Sequence, residues 1–183
     1  MATICLYGAA SNRISEEYIE ETEKLGKLLA DNGYKMIYGA GASGLMGAAA
    51  RGMRENGGFI IGVTPHFMHT FEPVYECDET IETTTMAERK SIMEENADAF
   101  IVAPGGIGTF DEFFQVLTLK ELGRAGDKPI VLFNLHGYYD ELYHMMQSSY
   151  DKGFLRDTAM SMFEICDTAE DVIKAITDGL SKK

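Results

Sequence analysis

Positive charge is scarce in this chain: 16 Lys and Arg stand against 29 Asp and Glu, a formal net charge of −13 at pH 7. A binder of bulk nucleic acid or of an anionic membrane carries the opposite field, so neither partner is expected. Any phosphate must then be held by a local pocket. Cysteine is scarce too. Cys5, Cys77 and Cys166 are odd in number, scattered and without C-x-x-C spacing, the pattern of reduced thiols in a cytoplasmic protein. No basic stretch with an apolar core behind it opens the chain, so no signal peptide is expected, and the apolar runs are too short to span a bilayer. His66, His69, His136 and His144 show no H-E-x-x-H spacing, which speaks against a zinc site. A G-x-S-x-G elbow is missing as well, which weakens an α/β-hydrolase reading. The expectation is a protein with neither metal nor cofactor.

What the chain does contain is organised around residues 97–112. The apolar run of residues 100–103 stops at Pro104, and Gly105, Gly106 and Gly108 follow. From Thr109 onward, Phe113, Val116, Leu117 and Leu119 fall at helical spacing. That order is strand, glycine turn, helix. Glycines let the backbone come close to a ligand. The orphan N–H groups and the dipole of the following helix favour an anion there. Asp111 and Glu112 in the first turn admit two readings. Thr109 and Glu112 have the spacing of a capping box, or the pair carries chemistry.

The remainder alternates between strand and helix. Strands are expected at residues 3–7, 35–38, 59–63, 80–83, 129–134 and 163–166, with Pro65 stopping the third. Helices are expected after Ser15, up to about Asn56, over 86–96 and 138–152, and at the carboxyl end with Val172, Ile173, Ile176 and Leu180 as its stripe. Continuous apolar strands alternating with helices predict a parallel α/β sheet, doubly wound and covered on both faces. At 183 residues the chain suits a single domain, 1–183.

Gly39-x-Gly41-x-x-Gly44 follows a strand and formally matches a dinucleotide fingerprint. The strand after it ends Gly62-Val63-Thr64-Pro65, with no acid for the ribose diol. The better reading is a second glycine-rich phosphate loop, with tight helix–strand packing as the plain alternative. Met86, Met93 and Ala97 space like a buried stripe, while Arg89 and Lys90 stand near a helix start, where cations oppose the dipole unless an anion is close. A solvated charged turn, with Glu94 and Glu95 as partners, explains them equally well.

Taken together, the Arg89-Lys90 pair, then Asp98-Ala99-Phe100, then Pro104-Gly105-Gly106-Ile107-Gly108-Thr109-Phe110-Asp111-Glu112 closely resemble the LONELY GUY family. Its members are cytokinin riboside 5′-monophosphate phosphoribohydrolases, often labelled lysine decarboxylases. The resemblance extends from Cys5 to the closing helix. It implies a Rossmann-like fold, a homodimer, and hydrolysis of the N-glycosidic bond of AMP or an N6-modified AMP to a free base and ribose 5-phosphate. By motif match, Arg89 and Glu112 take the catalytic positions. Glu72, Lys90, Gly105, Gly106, Ile107, Gly108, Thr109, Asp111 and Thr118 take nucleotide-contacting ones, joined by Gly41, Ser43, Gly44 and Met46 from the second glycine loop. The first loop, Tyr7-Gly8-Ala9-Ala10-Ser11, departs from the family's usual Cys-Gly-Ser-Ser run, and Gly39-Ala40-Gly41 replaces three consecutive glycines. The rival class is a binding module, such as a molybdenum-cofactor carrier, which needs no carboxylate and arginine together. A true lysine decarboxylase would hold pyridoxal phosphate on a lysine.

Overall fold

The structure is a computed structural model and describes residues 1–71 and 73–182. Its strands are β1 (Thr3–Tyr7), β2 (Lys35–Tyr38), β3 (Ile60–Pro65), β4 (Glu79–Thr83), β5 (Ala99–Val102), β6 (Ile130–Phe133) and β7 (Glu164–Cys166). The helices between them are α1 (Glu16–Asp31), α2 (Gly44–Glu55), α3 (Met86–Asn96), α4 (Ile107–Glu121), α5 (Asp140–Asp151) and α6 (Ala169–Ser181). The strands form one sheet in the order β4-β3-β2-β1-β5-β6-β7, and every pairing is parallel. The order reverses between β1 and β5. In open sheets of this kind a ligand crevice lies at that reversal, outside the carboxyl ends of the strands.

Both faces of the sheet are covered. One core joins β1 and β2 residues to Leu25 and Leu29 of α1, Ala49 and Met53 of α2, and Val172 and Ile176 of α6. The other joins Cys5, Phe100 and Leu132 to Met93 of α3, Phe113 and Val116 of α4, and Met146 of α5. The central strands are buried on both sides, which is why they read as unbroken apolar runs. Helices α1 and α2 approach closely at two glycines. A Cβ on Gly26 would stand 2.2 Å from the Ala49 carbonyl oxygen, and one on Gly52 would stand 1.9 Å from that of Glu23. The chain thus forms an α/β domain of the Rossmann-like kind.

Several boundaries differ from the sequence expectation. Strand β3 runs on through Pro65, which pairs with Thr83 of β4, whereas the β2 ladder has already ended at Gly62. A proline at a strand end that is paired on one side only forfeits no second ladder bond. Met86 does not continue the buried stripe of Met93 and Ala97; it is 39% exposed. Thr85 caps α3, its hydroxyl accepting from the Glu88 N–H at 3.1 Å while the Glu88 carboxylate accepts from the Thr84 N–H at 2.8 Å.

Candidate functional site

A cleft of about 380 Å³ opens at the reversal point, between the loop after β1 and the loop after β5. Gly8 to Ser11 line one side, and Gly106, Gly108, Thr109, Asp111 and Glu112 line the other. Arg89 and Lys90 from α3, with Met46, Met68 and Met86, complete the wall. A larger hollow of about 620 Å³ lies among Lys120, Pro129, Phe163 and Gly179. That hollow sits at the amino ends of β6 and β7, the wrong end of the sheet for a ligand in this fold class.

Helix α4 begins at Ile107 with Gly106 as its N-cap, and no side chain caps it. Its start is therefore earlier than expected, and Thr109 lies inside the first turn. The capping-box reading of Thr109 and Glu112 fails on this geometry. A glycine N-cap leaves the first N–H groups of the helix without a side-chain acceptor. Gly105 is required just before: a Cβ there would stand 2.1 Å from the Thr109 hydroxyl oxygen.

Glu112 faces the cleft from just beyond that first turn. It keeps some surface because it lines a cavity, but protein encloses its carboxyl. Burial pushes its pKa up from 4.5 to about 7, with Arg89 pulling the other way, Asp111 pushing up and Lys90 pulling down. Desolvation disfavours the charged form and the nearby cations restore part of it. A carboxyl that titrates near neutrality, in a crevice and beside a buried arginine, has the hallmarks of a working group.

Arg89 is itself buried, 6% exposed, and its Nε donates to the Val63 carbonyl at 3.1 Å. Its guanidinium lies over Gly39, where an added Cβ would stand 1.6 Å from Nη2. Gly39 therefore serves as the seat of Arg89. Lys90 pairs across to Asp111 of α4, Nζ to Oδ2 at 2.7 Å, and not with Glu94 or Glu95 of its own helix. Asp111 is open to solvent, so that pair contributes little to stability and places one ammonium at the cleft rim. Glu94, expected as a surface partner, is buried instead. Its carboxylate accepts from the Gln115 amide, and burial raises its pKa.

The second glycine loop serves the fold more than the cleft. Only Met46 of its members lines the cavity; Gly41, Ser43 and Gly44 do not. Its backbone is engaged with neighbours: Gly41 bridges Val74, Ala42 N–H donates to Pro73, and Tyr75 N–H donates to Ala40. The Leu45 and Met46 N–H groups both donate to the Ala9 carbonyl, which occupies the amino end of α2. Gly44 adopts φ +58°, and a Cβ on it would meet the Ala9–Ser11 backbone. Tight packing, the plain alternative, describes this loop. Thr118 lies elsewhere. Its hydroxyl donates to the Phe114 carbonyl at 2.7 Å, and it lines an apolar groove between α4 and α5. Glu72 falls outside the described residues. Sequence reasoning missed Met68 as a wall residue; nothing in its surroundings distinguishes it.

A parallel sheet with an uncapped helix start, a neutral-range carboxyl and two cations in its carboxyl-end crevice defines a domain of the Rossmann-like class. Known proteins narrow this. The family described as "Possible lysine decarboxylase" matches residues 46–176. The cytokinin riboside 5′-monophosphate phosphoribohydrolase of Mycobacterium tuberculosis is 38% identical over 174 residues, 94% of this chain and 92% of that protein. A probable cytokinin riboside 5′-monophosphate phosphoribohydrolase of Arabidopsis thaliana is 34% identical, over 93% of this chain and 85% of that protein. Among solved structures, the molybdenum cofactor carrier protein of Chlamydomonas reinhardtii superposes with a TM-score of 0.74 at 23% identity, over 98% of both chains. That last likeness is one of fold. The chain belongs to the LONELY GUY family.

Proposed function

We propose that the protein hydrolyses the N-glycosidic bond of a cytokinin riboside 5′-monophosphate, an N6-modified AMP, or of AMP itself. Water adds to the anomeric carbon, the ribose–base bond breaks, the base leaves with a proton, and ribose 5-phosphate is the second product. The observation that carries this reading is Glu112, a carboxyl titrating near 7 close behind an uncapped helix start. The α4 amino end and Lys90 hold the 5′-phosphate, which fixes the ribose without a metal. Glu112 then faces the carbon where positive charge develops, and its ionised form stabilises an oxocarbenium-like state. Arg89 keeps part of the Glu112 population ionised at neutral pH.

The phosphate-first arrangement has a measurable consequence. The 5′-monophosphate should be cleaved with a kcat/KM at least about 100-fold above that of its nucleoside, since several charge-assisted hydrogen bonds of roughly 1.5–3 kcal/mol each are lost without it. Base release from AMP, N6-isopentenyl-AMP and their nucleosides, followed by chromatography, tests this. Equal values for nucleotide and nucleoside would remove the phosphate site from the mechanism.

The same reading includes a homodimer. The groove between α4 and α5 is lined by Phe114, Leu117, Met145 and Leu155, and Phe114, Leu122, Met145 and Phe154 are exposed. A self-complementary two-fold contact would bury such a face and would bring Thr118 into an interface. Sedimentation should give a dimer, and Met145→Asp should give a monomer. A fully active wild-type monomer would overturn the assignment.

A further inference from the structure

Three consecutive carbonyls after β5 are each held by a donor. Ala103 O accepts from the Tyr139 hydroxyl at 2.7 Å, Pro104 O from the Ala9 N–H at 3.1 Å, and Gly105 O from the Tyr138 hydroxyl at 2.6 Å. In a trans peptide the C=O and the following N–H point in opposite directions, and no cis peptide bond occurs among the described residues. Holding the Gly105 carbonyl on the Tyr138 side therefore turns the Gly106 N–H to the other side, where Gly108, Thr109 and Arg89 line the cleft. Holding the Ala103 carbonyl orients no donor, because the next residue is proline and has no N–H.

The tyrosines are themselves set by an uncommon backbone. His136 adopts φ 52° and Gly137 φ 73°, so two left-handed residues precede Tyr138. Asn134 ties this corner together: its side-chain carbonyl oxygen accepts from the Tyr139 N–H at 2.7 Å, and its amide donates to Asp140 and Asp167. The Tyr138 ring stands edge-on to Tyr18 and Tyr139, in a neighbouring chamber that shares Ala9, Ser11 and Gly106 with the cleft. Tyr138 thus reaches the loop from this chamber and does not line the cleft itself.

We infer that Tyr138 is a positioning residue for phosphate recognition: its hydroxyl aims the Gly106 N–H at the 5′-phosphate. This rests on the phosphoribohydrolase reading above. Tyr139 anchors the strand end and serves stability instead. The two therefore predict opposite patterns in one pair of variants. Tyr138→Phe should weaken ribose 5-phosphate and inorganic phosphate by about 3- to 10-fold, the loss of one ordinary hydrogen bond. Its KM for the nucleotide should rise more than its kcat falls, and Tm should stay within a few degrees. Tyr139→Phe removes a fully buried hydrogen bond that water cannot replace, whereas the Tyr138 bond is open to solvent on its tyrosine side. The Tm of Tyr139→Phe should therefore fall by several degrees while phosphate weakens less than about threefold.

Calorimetric titration of the intact protein with each ligand, alongside thermal melting, reads both. Equal affinities in wild type and Tyr138→Phe would overturn the proposal, as would affinity losses that follow Tm across the two variants. Wild-type binding of inorganic phosphate but not of ribose 5-phosphate would defeat the phosphoribohydrolase reading, leaving Tyr138 to be judged on phosphate alone. Binding of neither ligand would defeat both.

Discussion

Glu112→Gln should lower kcat by about 100- to 1000-fold while the variant still binds nucleotide. Glutamine keeps the shape of the side chain and removes only the charge that a developing oxocarbenium needs; loss of one such preorganised group typically has this effect. The same change should not destabilise the fold. In the folded protein Glu112 holds its proton up to about pH 7, whereas in the unfolded chain it releases it near 4.5. Wild-type stability relative to a neutral side chain is thus lost as pH rises from about 4.5 to about 7, and the deficit is complete above that. A glutamine at this position does not titrate. The variant should therefore match the wild type near pH 4.5 and exceed it at about pH 8 by on the order of 3 kcal/mol, up to about ten degrees in Tm. Asp111→Asn, which changes net charge equally from an exposed position, should show neither effect at this size. Early melting with near-normal activity per folded molecule would make Glu112 a structural residue and leave the hydrolase reading without its centre. It would also strengthen the carrier alternative, which needs no such carboxylate.

The fold was readable because each central strand is an unbroken apolar run closed by glycine or proline, and because the helix stripes are regular. The position of the candidate cleft was readable in outline for the same reason: Gly105, Gly106 and Gly108 between strand and helix mark an amino end that can approach an anion. What misled was local mimicry. Thr109 and Glu112 have capping-box spacing, yet the helix starts at Ile107 and the carboxyl turns into the cleft. Gly39, Gly41 and Gly44 look like a second phosphate loop, but their roles depend on distant partners. Gly39 gives room to Arg89, Gly41 meets Val74, and Gly44 meets the Ala9–Ser11 backbone. Spacing within a segment cannot report which remote chain presses against it. Lys90 illustrates this again, since its nearest acids on the following turn are Glu94 and Glu95 while its partner is Asp111 on another helix. The Tyr138 and Tyr139 hydroxyls were equally silent, being 33 and 36 residues from the carbonyls they hold.

Arg89→Gln should move the pH dependence of the reaction as well as its rate. Of the groups that favour the ionised form of Glu112, Arg89 acts most strongly. Removing the cation leaves desolvation and Asp111 less opposed, so the Glu112 pKa rises further above about 7. The activity limb that reports Glu112 ionisation in kcat/KM should accordingly shift to higher pH by about one unit. The substrate's own phosphate titrates near about 6, below this limb, and its contribution is the same in both proteins. At about pH 7 the lost ionised fraction alone gives a several-fold decrease. At about pH 6, where Glu112 is mostly protonated in both proteins, Tm should differ by only a few degrees. Gly39→Ala tests the same point without removing the charge. Its Cβ would occupy the space of Nη2, 1.6 Å away, so the guanidinium must leave its seat. The variant should therefore show the same alkaline shift, smaller in size. Were Arg89 no more than a structural tie to Val63, both variants would lower Tm at every pH and leave the limb where it is. That outcome would separate Arg89 from the chemistry of Glu112.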